Sequence, residues 1–177
     1  MQADELEALV RKLRRTPLAD GAQLIPLEHG RAEIERVLPH RPPFLLVDAL
    51  TAIDFETRTL LGRRRIDPHD PVFAGHFPDD PVYPGVLQIE AIGQLGLCLA
   101  HFVSRNSTVI DQGTRPARLR AIKVHHALFN APVLPGDELS LGARIVAYDG
   151  FIGTVAGQAH REGTLCSLAV LEVYFVD

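Results

Sequence analysis

Residues Gly75–Gly96 read GHFPDDPVYPGVLQIEAIGQLG. Up to Gly85 the stretch is too rich in proline and glycine for any regular element. Pro84-Gly85 then opens a long helix that runs to about Arg105. From Val86 to Val103 the pattern is apolar, broken only by Gln88, Glu90, Gln94 and His101. An acid in mid-bilayer costs about 3 kcal/mol, so the helix reads as buried in protein and not as a membrane span. A helix apolar nearly all round must be covered on nearly all sides. Glu90 and Gln94, four apart, share a face and can hydrogen-bond. Gly93 and Gly96 each cost about 1 kcal/mol of helix stability relative to alanine, so something approaches the helix closely. That something is either tightly packed sheet or a substrate channel.

Outward from this helix the pattern changes period. FLLVDAL and RTLLGRRRI precede it as strand candidates. ARLRAIKVHHALF, DELSLGARIVAY, FIGTVAGQAH and TLCSLAVLEVYFV follow it, joined by turns at PGDE, YDGF and HREG. Leu139, Leu141, Ala143, Ile145 and Ala147 alternate with polar or small residues, which buries one strand face. Strands, one long helix and then a run of antiparallel strands make an α+β pattern, with one sheet curled around the helix. Upstream, Leu6, Leu9, Val10 and Leu13 form one face of a short helix over residues 3–15. TPLADGAQLIPLEHG reads as a connector. Residues 1–30 are therefore expected to be a helical appendage and residues 31–177 the main domain. A second short helix, AEIERVL, leads into PHRPPF, whose prolines force an extended path.

The chain has 177 residues, 46% hydrophobic and 23% charged, with a net charge of −4. This suits one soluble domain and gives no general attraction to nucleic acid or anionic membrane. Cys98 and Cys166 sit in apolar runs with no CxxC spacing, which reads as a reducing compartment and no disulfide or metal framework. The charged start, MQADELEALVRKLRRT, lacks the apolar core of a secretory signal. A cytoplasmic location follows as the expectation.

The chemistry centres on His76 and Glu90. A loop histidine is commonly plain surface, but the prolines and glycines around His76 would hold it in one geometry. An imidazole titrating near pH ~6.5 is a natural general base. Glu90 has two readings. It is a structural acid satisfied by a distant arginine or an interface, or it is a buried carboxyl kept protonated and able to donate. A positioned base with a protonated acid suits elimination of water from a 3-hydroxy thioester. The helix start at Gly85, beside Pro84, turns free N–H groups and the positive dipole end toward a developing enolate oxygen. There is no GxSxG, P-loop, GxGxxG or HExxH. Adjacent strand residues point to opposite faces, so His125-His126 reads as one packed and one exposed histidine, with no metal site.

With these residues in place, the chain resembles the β-hydroxyacyl-acyl carrier protein dehydratases of the FabZ type over about residues 32–177. LPHRPPFLLVD, AGHFPDDPVYPGVLQIEAIGQLG and FNAPVLPGDEL match three of that family's signatures in order. The resemblance implies a hot-dog fold, a homodimer or a trimer of dimers, and no metal or redox cofactor. The substrate would be carried on the phosphopantetheine of acyl carrier protein. His76 matches the catalytic histidine and Glu90 the catalytic acid, meeting from opposite subunits. Gly85 matches the thioester-binding backbone donor, with Phe77 and Pro84 beside it and Gln94 orienting Glu90. Two basic groups are carrier-docking candidates: Arg63-Arg64-Arg65, and Arg115, Arg118, Arg120 and Lys123. Alternative readings are a hot-dog acyl thioesterase using Glu90, or a non-catalytic module that binds an acyl carrier.

Overall fold

The computed structural model describes residues 2–116 and 119–175. The elements run α1 (Ala3–Leu13), β1 (Ile25–His29), α2 (Arg31–Val37), β2 (Ala49–Asp54), β3 (Thr59–Arg65), α3 (Gly85–Arg105), β4 (Leu119–Phe129), β5 (Glu138–Tyr148), β6 (Ile152–Arg161) and β7 (Thr164–Phe175). A one-turn 3₁₀ helix, Pro71–Ala74, interrupts the loop before α3. The strands form one sheet in the order β1-β2-β3-β5-β6-β7-β4, and every neighbouring pair is antiparallel. Local chemistry sets the turns. Glu162 and Gly163 both take positive φ, 48° and 80°, the hairpin geometry whose twist matches the strands it joins. This is the hot-dog architecture, a sheet curled around α3.

The core lies between α3 and the concave face of the sheet. Leu139, Leu141 and Ala143 of β5 meet Leu95, Cys98, Leu99 and Phe102 of α3 there. The two helix glycines separate. A Cβ on Gly96 would stand 2.9 Å from Val155 Cγ1, so Gly96 is where the sheet packs tightly; one on Gly93 would make only ordinary contact with Leu171. The expectation that the sheet covers the helix on nearly all sides needs correction. Val86 is 68% exposed, and Ile89, Glu90, Gly93, Leu97 and Ala100 continue a half-buried stripe up the same side of the helix. At the sheet's end, β4 exposes Ile122, Val124 and Phe129.

The N-terminal residues are bound into the fold. The expected apolar face of α1 packs with Leu18 on the convex side of the sheet, against Ala156, Leu168 and Val170. Gln158 of β6, 1% exposed, donates to Leu13 O and Thr16 O and accepts from Leu18 N. Part of the expected connector is β1, the edge strand paired with β2. Its five residues and Pro26 hide the alternation, and proline is tolerated because the strand lies at an edge. The FLLVDAL strand begins late, at Ala49. Leu45, Leu46 and Val47 are buried without being strand.

At the far end of α3, His101 is 4% exposed, with Arg105 Nη1 3.1 Å from its Nδ1. Burial, with Arg105 acting in the same direction, pushes this imidazole down to about 4. Burial also lowers His160. The unfolded chain therefore binds more protons than the fold between about pH 6.5 and 4, so stability falls as pH falls through that window. For His101 the loss is on the order of 3 kcal/mol. Denaturant unfolding between pH 7 and 4.5 should show this slope, and His101→Gln should flatten most of it.

Candidate active site

The loop before α3 is built to hold one ring. Asp70 caps the 3₁₀ turn by accepting from Val72 N at 2.9 Å. His76 N donates to Val72 O at 2.9 Å, and Val82 N donates back to His76 O at 3.0 Å. His76 Nδ1 lies 2.8 Å from Val82 O. A carbonyl only accepts, so Nδ1 carries the proton and Nε2 keeps its lone pair. Phe77, joined to His76 by a cis peptide, is 53% exposed and stacks on the imidazole with ring centroids 4.2 Å apart. Tyr83 N donates to Val133 O at 2.7 Å, tying the loop's end to the segment between β4 and β5.

Pro84 is the N-cap of α3 and offers no side-chain cap. The N–H groups of Gly85 and Val86 have no acceptor among the described residues. Both residues line an open cleft of about 550 Å³ together with His76, Tyr83, Pro84 and Phe129. The Phe129 ring presses on the helix start, and a Cβ on Gly85 would stand 2.5 Å from it. Histidine and helix N-terminus thus meet in one cleft, which can bind a developing negative charge and remove a proton beside it.

Glu90 lies on the open stripe of α3. Gln94 Nε2 donates to Glu90 Oε1 at 2.9 Å and to Phe44 O at 2.9 Å, while its Oε1 accepts from Leu46 N at 2.8 Å. The amide is therefore fixed in orientation. The expected burial of Glu90 is not met by this chain alone, because its side chain is 35% exposed. The stripe that carries it is the one the sheet leaves open. Among the described residues no hydrogen bond or ion pair joins His76 to Glu90. One residue near the acid was not anticipated: His40 Nε2 stands 3.5 Å from Glu90 Oε1. It belongs to the quoted run LPHRPPF, whose prolines were read only as a path.

The basic candidates fall into different surroundings. Arg64 is 5% exposed and its guanidinium reaches Asp48 at 3.2 Å and Leu45 O at 3.4 Å, so it is held inside the fold and cannot dock a partner. Arg63 and Arg65 beside it are exposed, as strand alternation requires. Arg115 is exposed with its guanidinium on Gln112 O and Thr114 O, and Arg120 and Lys123 are exposed on β4. Arg118 lies outside the described residues. The histidine pair also departs from expectation. The register slips between Val124 and His126, so His125 is an extra residue that breaks strand alternation. Neither is exposed: the His125 side chain is 10% exposed with Nε2 2.7 Å from Glu172, and His126 is half-buried and lines a cleft with α1.

Replacing Gln94 by leucine strips partners from Leu46 N and Phe44 O at once. Gln94→Leu should cost about 2–4 kcal/mol, read as a lower urea midpoint.

A family model described as a FabA-like domain matches residues 38–168. Among curated proteins, the 3-hydroxyacyl-[acyl-carrier-protein] dehydratase FabZ of Sulfurimonas denitrificans is 38% identical over 145 residues, covering 82% of this chain and 95% of that enzyme. The FabZ dehydratase of Methylobacterium nodulans is 36% identical over 156 residues, covering 85% and 93%. Among solved structures, the dehydratase heterocomplex ApeI:P from Xenorhabdus doucetiae superposes with a TM-score of 0.63 at 16% identity, over 86% of this chain and 92% of that one. A putative thioesterase related to phenylacetic acid degradation, from Ralstonia eutropha, reaches 0.50 at 16% identity, over 71% and 83%. Likeness at such identities speaks for the fold they share. The sequence matches go further: the chain belongs to the FabA-like family, with FabZ dehydratases as its relatives.

Proposed function

We propose that the protein dehydrates a (3R)-hydroxyacyl thioester, carried on acyl carrier protein, to the trans-2-enoyl thioester and water. The observation that carries this reading is the ring of His76. Its Nδ1 is committed to Val82 O at 2.8 Å, which leaves Nε2 as a base in the same cleft as the Gly85 N–H. The substrate's thioester oxygen accepts from Gly85 N–H, with Pro84 shaping the turn and Phe77 walling the ring. His76 Nε2 takes the proton from C2. The C2 electron pair forms the double bond to C3, and the C3 hydroxyl leaves as water with a proton from Glu90. His76 then holds one extra proton and Glu90 lacks one, and solvent exchange restores both.

Glu90 serves the His76 of a second copy. The apolar stripe on α3 and the exposed Ile122 and Val124 of β4 are surfaces that a second copy would cover. Covering them takes the Glu90 carboxyl out of bulk water. The homodimer is thus the working unit, whether alone or in a trimer of dimers, and it works in the cytoplasm. The carrier docks on one exposed basic group, either Arg63 with Arg65 or Arg115, Arg120 and Lys123.

Hydration of an enoyl thioester, followed by its absorbance, tests the reaction. His76→Ala and Glu90→Gln should each lose at least about a hundredfold in kcat. Full activity in Glu90→Gln would remove that residue from the mechanism. Free thiol released from an acyl thioester, without hydration, would assign a thioesterase instead. Val124→Lys should shift the sedimentation profile toward single chains and take the activity with it. Charge reversal at Arg63 and Arg65, or at Arg120 and Lys123, should raise KM for a carrier-linked substrate in one case and not the other.

A further inference from the structure

Resting on the acid role given to Glu90, we propose that His40 is a positioning residue for that acid. With Gln94 it fixes which carboxyl oxygen carries the proton. Gln94 leaves no choice in its own orientation. Its Oε1 is taken by Leu46 N–H at 2.8 Å, so the group facing Glu90 Oε1 at 2.9 Å is the NH₂. Glu90 Oε1 is therefore an acceptor. His40 approaches the same oxygen, with Nε2 at 3.5 Å. Catalytic contacts of this length shorten to hydrogen bonds in the substrate complex.

The other face of the imidazole decides its tautomer. His40 Nδ1 is buried and has no hydrogen-bond partner among the described residues. A proton there would be a buried donor with nowhere to go, so the neutral ring carries it on Nε2, pointing at Glu90. The remaining surroundings leave the ring to this task. The Phe44 ring lies 6.3 Å away, centroid to centroid. Arg41 turns its guanidinium to the carbonyls of Leu38 and His40 and toward Glu35 of α2, 3.9 Å away. Glu90 is the acid the His40 ring meets.

Two donors on Oε1 leave Oε2 as the oxygen that holds the transferable proton. When the C3 hydroxyl leaves, that proton goes with it as water, and the electron pair of the broken O–H bond stays on the carboxylate. The hydrogen bonds from Gln94 and His40 then become charge-assisted and strengthen. They favour the transition state over the bound substrate, so their loss falls on kcat and not on KM.

The test uses the full chain and dehydration of a (3R)-hydroxyacyl thioester of acyl carrier protein, followed by the absorbance of the enoyl product. His40→Phe keeps a ring against Phe44 and removes the donor. It should lower kcat by about tenfold to a hundredfold with KM within about threefold of the parent. His40→Gln, which restores an N–H, should recover most of that loss. Unchanged kcat in His40→Phe, or a loss carried by KM, or failure of His40→Gln to recover activity while melting like the parent, would overturn the role. Glu90→Gln and His76→Ala measured alongside separate the two levels. If both are inactive while His40→Phe is normal, only the His40 assignment falls. If Glu90→Gln is fully active, the acid role falls and takes the His40 assignment with it.

Discussion

The carboxamide of Gln94 ties the fold to the candidate site. It is 1% exposed and spends its oxygen and both N–H groups on Leu46 N, Phe44 O and Glu90. Buried polar groups hold their place only when all their partners are present. Here the partners come from two segments that the sequence separates by about fifty residues. The non-strand run Phe44–Val47 is kept against α3 because Phe44 O and Leu46 N bond to this side chain, while Leu45 O takes the Arg64 guanidinium. The same bonds bring His40 alongside Glu90. Packing, chain path and carboxyl geometry thus depend on one amide.

What could be read from the residues follows from how local each feature is. The period of the α3 segment, the proline loop and the YDGF and HREG hairpins are properties of short windows and appear where expected, whereas PGDE makes no hairpin, because β4 leaves β5 to pair with β7 at the sheet's end. The glutamate-glutamine pair was legible because four residues along a helix is one face. Features that depend on distant partners were not. Residues 25–29 look like connector because a five-residue edge strand with a proline has no alternation to show. Arg64 looked like part of a basic surface, and only the arrival of Asp48 and Leu45 O makes it an interior group. The burial of Glu90 was expected from an apolar helix, yet the sheet stops short of that side. His40 had no signal beyond its place in LPHRPPFLLVD, since the Glu90 carboxyl it meets lies on a helix fifty residues on.

The N-terminal residues are tied to the sheet by matched chemistry. The outer face of the sheet has its own apolar patch around Leu168 and Val170, and α1 with Leu18 covers it. Gln158 is buried under that cover and, among the described residues, is satisfied by the backbone of the covering segment. The outer face of the sheet and the segment that covers it are therefore matched to each other.

The two ends of the sheet are unlike. At one end β1 is short, contains Pro26 and slips register before His29, features that spoil an edge as a template for another strand. At the other, β4 runs eleven residues with apolar side chains exposed along it. A body with one adhesive edge and one blunted edge has a valence of one. It can join a single neighbour through that edge, and the joined sheet then ends in a poor template on both sides. Growth by sheet extension stops at the first step, so the sheet can support a finite assembly without the hazard of a fibre.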